Sequence, residues 1–297
     1  MYPLILKIRK KIAQKITAFS SDPRPSSYPY ISGDTLRSAC DHRHEKGNRC
    51  LPEKVSFGQS VFVEGDFLED FFTVIHPHIK DAYVLVSHNG DLNITADFLK
   101  YIDDKILAWY AQNVDVQHPK LIPLPIGIEN AYYRNNGQVI GFEKVRKMHI
   151  PKIPRILSAL NIITNKKERV PALDYLRTHP AVDVLTTSHQ SFVTRESKLA
   201  SYMFTASPPG NGIDCMRTWE AMYVGSVPIV KKSICMSYFK NLGLPLYVID
   251  DWRELDILDS TQLAAVYERL AKDFNHPALW VDYWIKKITS HRTHEQR

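Results

Sequence analysis

The sequence predicts an α/β protein of two domains, each a parallel sheet with helices on both faces. Apolar strand-like runs alternate with helical segments over residues 61–128, and the alternation resumes after a junction at residues 129–155. Such alternation is typical of parallel sheets. A chain of 297 residues can bury two cores, and no short repeat indicates a solenoid. We therefore expect two Rossmann-like domains that face each other across a cleft.

The predicted boundaries follow changes in this pattern. Residues 1–54 are predicted to form a basic helix and an extended arm, because "SDPRPSSYPY" is rich in proline and serine. Residues 55–148 are predicted to form the first domain and residues 149–275 the second. Residues 276–297 are predicted to contain a last helix, "ALWVDYWIKKITSHR", with an aromatic stripe at helical spacing.

In the first domain, "SVFVEGD" predicts a short strand and "FLEDFFTVIHPHI" a helix that stops near Pro77. "AYVLVSHNGD" predicts a buried strand that ends in a polar turn. "TADFLKYIDDKILAWYAQN" predicts a helix with Thr95 as its N-cap, and "KLIPLPIGIEN" a strand that leaves the domain.

In the second domain, strands and helices are predicted to alternate from residue 155 onwards. The strands are "RILSALNIITN", "VDVLTTS", "MFTASPPG", "SVPIVKK" and "PLYVIDDW". The helices between and after them are "KKERVPALDYLRTH", "FVTRESKLASYM", "CMRTWEAMYVG", "ICMSYFKNLG" and "LDSTQLAAVYERLAKDF".

The composition is that of an ordinary soluble protein, with 44% hydrophobic and 24% charged residues. The formal charge of +6 favours anionic ligands. No run of 18 apolar residues predicts a spanning helix. We expect a cytoplasmic protein. Residues 1–19 form a basic amphipathic pattern that can lie on the inner face of a membrane, and packing on a protein core is the alternative.

The cysteines give no zinc-finger spacing, because none of the four forms a CxxC pair. Cys40 and Cys50 flank His42 and His44. This segment is therefore either a metal site or a polar surface loop that contains reduced thiols. No Asp-x-Asp motif occurs. We predict no catalytic metal and no other cofactor.

The densest segment is "SPPGNGIDCMRTWEAMYVGSVPIV", which follows a strand at residues 203–206. Ligands of open parallel sheets bind where such strands enter helices. Gly210 and Gly212 allow close approach of the backbone, and Asp214 is the candidate helix cap.

The next helix turn carries two charges. Arg217 can fork onto a diphosphate at the helix N-terminus, and Glu220 can accept the hydroxyl hydrogens of a ribose. The alternative is a Pro/Gly turn followed by a purely structural Arg–Glu pair.

This segment resembles the nucleotide-sugar segment of exostosin-like glycosyltransferases, in which Pro-x-Gly, Arg, Glu-Ala and Gly-x-x-Pro follow a strand. The resemblance covers roughly residues 55–255 and includes small bacterial members of the family. Fucosyltransferases of the same architecture carry a related strand–helix–Gly-x-Pro-Val segment. It implies the two-domain GT-B architecture, a last helix that packs back on the first domain, and glycosyl transfer. The ending Gly-Ser-Val-Pro-Ile departs slightly from the family pattern, and residues 1–54 lie outside the resemblance.

The resemblance also implies roles for residues. Arg217 would neutralise the departing diphosphate, and Glu220 would hold the ribose or the donor sugar. The rest of the predicted donor pocket comprises Gly210, Asn211, Gly212, Asp214, Thr164, Asn165, Lys166 and Arg169. For Lys166, a solvated helix start is the alternative.

Transfer with inversion needs a base that takes the acceptor's proton. The resemblance implies that this base lies on the first domain, across the cleft. Asp91, in "SHNGD", is the first candidate and His88 the second. Glu64 and Asp66 are the third option, and they and Glu129 are predicted to contact the acceptor.

The sequence thus predicts a glycosyltransferase of polysaccharide biosynthesis, hexosyltransferase-like, that uses a UDP- or GDP-linked sugar and a glycan or lipid-linked acceptor. The alternatives are a non-catalytic nucleotide- or glycan-binding member of the fold and a fucosyltransferase-like enzyme. We expect no nucleic-acid partner, because no zinc-finger, RNP-like or basic-stripe pattern occurs in residues 55–275.

Overall fold

The computed structural model describes residues 23–185 and 190–293. The basic segment 1–19 lies outside these ranges. Within them, ten strands form two separate sheets of five, and every strand pair is parallel. The predicted α/β class with two Rossmann-like sheets is confirmed. No helix of the described ranges combines the length and apolarity needed to span a membrane.

The first sheet has the sequential order β1-β2-β3-β4-β5, so the chain adds each new strand on the same side. Its strands are His42–His44, Ser60–Glu64, Tyr83–His88, Ile106–Ala111 and Leu121–Pro123. The helices of this part are α1 (Gly33–Ala39) and α2 (Leu68–Asp70), and a π-helical stretch, Phe71–Ile75, continues α2. The short 3₁₀ turns are Pro52–Lys54, Gly65–Phe67, His76–His78 and Ala96–Tyr101.

The second sheet has the order β10-β9-β8-β6-β7. The chain leaves β6 first for β7 on one side and then for β8 on the other, so a topological switch point lies between β6 and β8. The strands β6 to β10 are Ile153–Ser158, Val182–Val184, Tyr202–Ala206, Val227–Lys231 and Tyr247–Ile249.

Helix α3 (Val139–Arg146) connects the two sheets. The helices α4 to α9 are Lys166–Thr178, Phe192–Ala200, Met216–Tyr223, Ile234–Asn241, Ser260–Leu270 and Val281–Thr289. The remaining 3₁₀ turns are Ile162–Thr164, Trp252–Ile257, Ala271–Asn275, Pro277–Leu279 and Ser290–Thr293.

The predicted extended arm contains regular structure, which corrects the sequence interpretation. Helix α1 lies within it, and β1 pairs with β2, with His42 opposite Val61. Tyr30, Ile31 and Leu36 are fully buried, so a few apolar side chains anchor an otherwise polar segment in the first-domain core.

The helix predicted over "TADFLKYIDDKILAWYAQN" was wrong. Only Ala96–Tyr101 is helical, as a 3₁₀ turn, and Thr95 caps it without a side-chain hydrogen bond. Ile106–Ala111 is strand β4, nearly all of it buried. Periodicity cannot distinguish a short, wholly apolar run in a buried strand from a buried helix, and here the neighbouring strands decide.

The two domains share one apolar cluster that includes Trp109 of β4, Trp219 of α6 and Trp284 of α9, all fully buried. Helix α9 also contacts the segment before α1, where the N–H of Val281 donates to the carbonyl of Pro29 at 3.3 Å.

In the aromatic stripe of the last helix, Trp280 packs against Tyr30 of the segment before α1 and against Tyr223 of α6. Trp284 packs against Phe239 of α7, so the stripe is a packing surface for both domains.

Candidate functional site

A cleft of about 300 Å³ lies at the carboxyl ends of β6 and β8. Its walls come from the residues after β6, from the loop 207–215 after β8, and from the first turns of α6. This is the switch point of the second sheet, where open α/β sheets bind ligands. We call it the donor cleft, after the residues predicted to bind the donor that line it.

The glycines of the donor-cleft loop are explained by contacts within the protein. A Cβ on Gly212 would lie 2.3 Å from Nδ2 of Asn113, and one on Gly210 would lie 2.9 Å from Nη2 of Arg169. Both distances are too short for an added carbon. The glycines therefore bring the loop against the first domain on one side and against Arg169 on the other.

Arg169 and Asn165 hold this loop. Arg169 donates from Nε to the carbonyl of Pro209 at 2.9 Å and from Nη1 to that of Asn161 at 2.8 Å. Asn165 donates from Nδ2 to the carbonyl of Gly210 at 2.8 Å, while its Oδ1 accepts from a backbone N–H and caps α4. Arg169 lines the donor cleft, and both predicted donor-binding residues therefore hold the backbone of its loop in place.

Thr164 lines the donor cleft, and its hydroxyl donates to the carbonyl of Asn161 at 3.1 Å. Lys166 is exposed on the first turn of α4 and does not line the cleft, so the structure does not support it as a donor ligand. The cleft's arginines within the described residues are Arg169, Arg195 and Arg217.

Arg217 lies on the first turn of α6 and lines the donor cleft, with 22% of its side chain exposed. Its Nε is 3.3 Å from Oε2 of the buried Glu220. Burial alone would lower the pKa of Arg217, but the carboxylates of Glu220 and Glu196 raise it above its usual value. The predicted Arg–Glu pair exists, and it lies at the cleft rather than away from it.

A second charged pair, which no sequence motif predicted, lies beside Arg217. Glu196 of α5 is fully buried, and its Oε1 accepts from Nε of Arg195 at 2.9 Å. Burial, followed by the charge of Glu220, raises the pKa of Glu196 to about 7. Arg195 also donates to Oδ1 of Asn136 at 3.0 Å, and both line the cleft. No motif spacing links these residues to the segment around Arg217.

Asp214 does not cap α6, because the N-cap residue is Cys215 and it makes no side-chain capping bond. The buried carboxylate of Asp214 accepts from the N–H of Ile126 at 2.8 Å and from Nε1 of Trp219 at 2.9 Å. Its own N–H donates to Oδ1 of Asn113 at 3.1 Å. Asp214 borders the donor cleft, and its hydrogen bonds join the two domains.

Burial raises the pKa of Asp214 to about 7 from an ordinary 3.8, although three N–H donors oppose the shift. A raised folded-state pKa means that the folded protein binds more protons, so stability falls as pH rises between the two values. Replacing Asp214 by asparagine removes this titration. Between about pH 5 and pH 8, we expect the wild type to lose about 2–3 kcal/mol of unfolding free energy relative to Asp214→Asn.

Urea unfolding of both proteins at the two pH values measures this difference directly. Other buried groups titrate in both proteins, and their contributions cancel in the comparison. A stability difference that does not change with pH would contradict the raised pKa of Asp214.

A second cleft, of about 1020 Å³, adjoins the first on the side of the first domain. Asp91, Ile126 and Met216 border both clefts. Its remaining walls come from the carboxyl ends of β2 and β3, from the segment around Asp34 and from residues 128–133. We call it the acceptor cleft, after the residues predicted to contact the acceptor that line it.

Asp91, the first candidate base, is exposed at the junction of the two clefts. Its Oδ2 accepts from Nδ2 of Asn211, which belongs to the donor-cleft loop, at 3.0 Å. The structure therefore brings together a carboxylate of the first domain and the predicted donor pocket of the second.

His88, the second candidate, is not available as a base. It is 3% exposed, Nε2 lies 3.0 Å from the carbonyl of Pro125, and Nδ1 accepts from the N–H of Asn89 at 2.7 Å. Burial lowers the pKa of His88, despite hydrogen bonds that favour the charged form. Both ring nitrogens are occupied, so His88 orders the loop that carries Asp91.

The three predicted acceptor-side acids all line the acceptor cleft. Glu64 accepts from the N–H of Lys46 at 3.2 Å, and Asp66 is exposed. Burial raises the pKa of Glu129 despite a hydrogen bond from Asn130, and the charges of Glu220 and Asp34 raise it further.

In residues 23–185 and 190–293, no three His, Cys, Asp or Glu side chains are grouped to hold a metal ion. Cys40 and Cys50 are buried free thiols. His42 contacts Gln59 at 2.7 Å, and His44 contacts Asp70 at 3.0 Å. These contacts give no support to the alternative, raised by the sequence, of a metal site at these four residues.

Comparison with known proteins identifies no family by sequence. No protein-family model matches the chain. No curated protein matches it either.

Several solved glycosyltransferase structures are similar in fold. An α1,3-fucosyltransferase is 12% identical over 81% of this chain and 78% of that one, with a TM-score of 0.37. AviGT4, a glycosyltransferase involved in avilamycin A biosynthesis, is 12% identical over 77% and 84%, with a TM-score of 0.31. The pneumococcal O-GlcNAc transferase GtfA, in complex with UDP and GlcNAc, is 8% identical over 81% and 55%, with a TM-score of 0.33. Scores this low carry no conclusion about activity.

Proposed function

We propose that the protein is a glycosyltransferase that moves a sugar from a nucleotide-diphosphate donor to a glycan or lipid-linked acceptor. One observation carries the proposal. Arg217, at the start of α6, lines the donor cleft at the switch point of the second sheet. Asp91, a carboxylate of the first domain, borders this cleft where it adjoins the acceptor cleft.

The donor cleft suits a diphosphate for two reasons. The first turn of α6 has backbone N–H groups without acceptors inside the helix, and these favour an anion. Arg217 adds a cation whose flat guanidinium can bond two phosphate oxygens. Glu220 lies beside it and can accept hydroxyl hydrogens of the nucleoside or sugar.

In the proposed reaction, an acceptor hydroxyl attacks the anomeric carbon of the donor. Asp91 takes the hydroxyl proton, a new glycosidic C–O bond forms, and the bond from the anomeric carbon to the diphosphate oxygen breaks. Attack from the side opposite the leaving group inverts the anomeric centre. The nucleotide diphosphate leaves with the bonding electron pair, and Arg217 stabilises its charge.

We further propose that the chain is an exostosin-like, hexosyltransferase-type member of the GT-B architecture that works without a metal. The support is the Pro-x-Gly, Arg and Glu-Ala pattern of residues 208–221, which in this structure forms the wall of the donor cleft. The arginines of this cleft provide the charge that a metal supplies in other transferases. A GDP-sugar and a UDP-sugar remain alternative donors, and peripheral membrane contact through residues 1–19 stays a prediction.

A thermal-shift screen against UDP, GDP, CMP and their sugars tests the function. We expect one nucleotide diphosphate series to raise the melting temperature, because a ligand that binds only the folded state stabilises it. Chelator should leave this shift and any transfer activity unchanged. Absence of a shift with every nucleotide would contradict the proposed function, and nucleotide binding without turnover would favour the non-catalytic alternative.

A further inference from the structure

The acceptor cleft has the opposite charge from the protein as a whole. Among the described residues, its walls carry two cations, Arg24 and Lys46, whereas the whole chain has a formal charge of +6. They also carry five carboxylates: Asp34, Glu64, Asp66, Asp91 and Glu129. A cleft whose walls carry an excess of one sign of charge concentrates ligands of the other sign and repels ligands of its own sign.

The main cation of this cleft is already matched within the protein. Arg24 lies 2.7 Å from Oδ1 of Asp34, 3.1 Å from Oε2 of Glu45 and 3.7 Å from Oε1 of Glu64. Glu45 does not line the cleft and is also bound by the buried Arg37, whose Nε lies 2.6 Å from its Oε2. Arg24 thus offsets Asp34 and Glu64 of the cleft walls. It therefore does not offset the charges of the other acids that line the cleft.

Two buried hydrogen-bond acceptors at the walls lack donors. Oδ2 of Asp34 and Oε1 of Gln112 have no hydrogen-bond partner, although both side chains are at least nine-tenths buried and both residues line the cleft. A buried acceptor without a donor is costly, so a water or another donor group beside each atom is favoured. Neither can bond to a second carboxylate.

The rim of the cleft presents two aromatic rings. Tyr132 and Tyr133 are 56% and 57% exposed, with ring centroids 5.2 Å apart and planes at 84°. Exposed tyrosines beside a polar cleft offer apolar faces and a hydroxyl to the same ligand, which suits a sugar ring. Together with the polar side chains of the walls, they favour a ligand rich in hydroxyl groups.

We propose that the acceptor sugars bound in this cleft carry no carboxylate, sulfate or phosphate, and that the cleft selects uncharged or amino-bearing glycans. The inference rests on the proposed function, because it names the substrate class of the same site. The carboxylates of the cleft walls cause this discrimination against acidic sugars. Among them, Asp66 is exposed and Glu129 is half-buried.

Matched trisaccharide pairs test this selectivity: glucose, galactose and mannose trimers against the corresponding uronic acid trimers, which differ in the C6 carboxylate. Binding to the full chain, saturated with the nucleotide found in the thermal screen, is followed by ligand-observed NMR. We expect the best neutral trimer to bind at least about tenfold more tightly than its uronic partner at low salt. The difference should narrow at about 0.5 M salt, where surface charges are screened.

Two variants test whether the carboxylates of the acceptor cleft cause the discrimination. The double variant Asp66→Asn, Glu129→Gln should reduce the discrimination between neutral and uronic trimers. The control Asp174→Asn removes an exposed acid of α4 that does not line this cleft, and it should leave the discrimination unchanged. Retained nucleotide binding shows that each variant is folded.

A uronic trimer that binds as tightly as its neutral partner at low salt would overturn the inference. So would failure of all six trimers to bind, provided that nucleotide binding is intact. If the wild type binds no nucleotide, this result counts against the proposed function itself. Failure of the selectivity and failure of the proposed function are therefore distinguishable.

Discussion

Replacing Arg217 by alanine should lower kcat/KM for the nucleotide-sugar roughly 10²–10³-fold, because one positioned cation at a departing diphosphate contributes about that much. The arginine lines the donor cleft at the start of α6, where the departing charge would develop. Affinity for the free nucleotide diphosphate should also fall. Steady-state kinetics and calorimetric titration of the nucleotide measure the two effects.

Two controls separate this effect from loss of structure. Arg217→Lys keeps the charge but not the two-pronged geometry, so it should recover only part of the activity. Arg177→Ala removes another arginine that pairs with an acid three residues earlier on α4, and its side chain is 59% exposed. It should leave kinetics and stability unchanged. Wild-type nucleotide affinity in a folded Arg217→Ala protein would refute the diphosphate contact.

Replacing Asp91 by asparagine should lower kcat by about 10²–10⁴-fold, the usual contribution of a general base. The amide keeps the size and the contact with Asn211 but cannot take a proton. Nucleotide affinity should stay unchanged, because Asp91 acts on the acceptor. Single-turnover kinetics with saturating donor distinguish the chemical step from binding.

The rival base is Glu129, a half-buried carboxyl in the acceptor cleft whose pKa is raised by burial. If Glu129→Gln abolishes turnover while Asp91→Asn does not, the base is Glu129. Asn211→Ala provides a further check, because it removes the hydrogen bond to Asp91 and leaves the carboxylate in place. It should cause a smaller loss of kcat than Asp91→Asn.

The second domain was predictable because each of its elements has a clear local pattern. Apolar strands of β-branched residues are followed by loops and amphipathic helices, and Asn165 and Ser191 cap their helices through side-chain oxygens. The first domain was less predictable. The conformations of strands β1 and β4 are set by pairing with distant residues: His42 of β1 lies opposite Val61. Ala111 of β4 lies opposite Ser87.

The candidate site was predictable in part for the same reason. Gly210, Asn211, Gly212, Arg217 and Glu220 lie in one continuous segment, so a local motif could identify them. Arg195 and Asn136 contribute to the same cleft from other elements. Their approach depends on how α5 packs against the connection between the domains, and no spacing in the sequence records it.

The sequence by itself determined the parallel α/β class, the position of the loop at the end of β8 and the charge at the start of α6. These depend on hydrophobic periodicity, turn residues and helix ends, which act over a few residues. The tertiary structure decided which polar groups remain available. His88 and Asp214 are occupied by backbone partners from distant segments, whereas Asp91 is left exposed between the clefts. Availability depends on burial and hydrogen-bond partners, which only the packed chain defines.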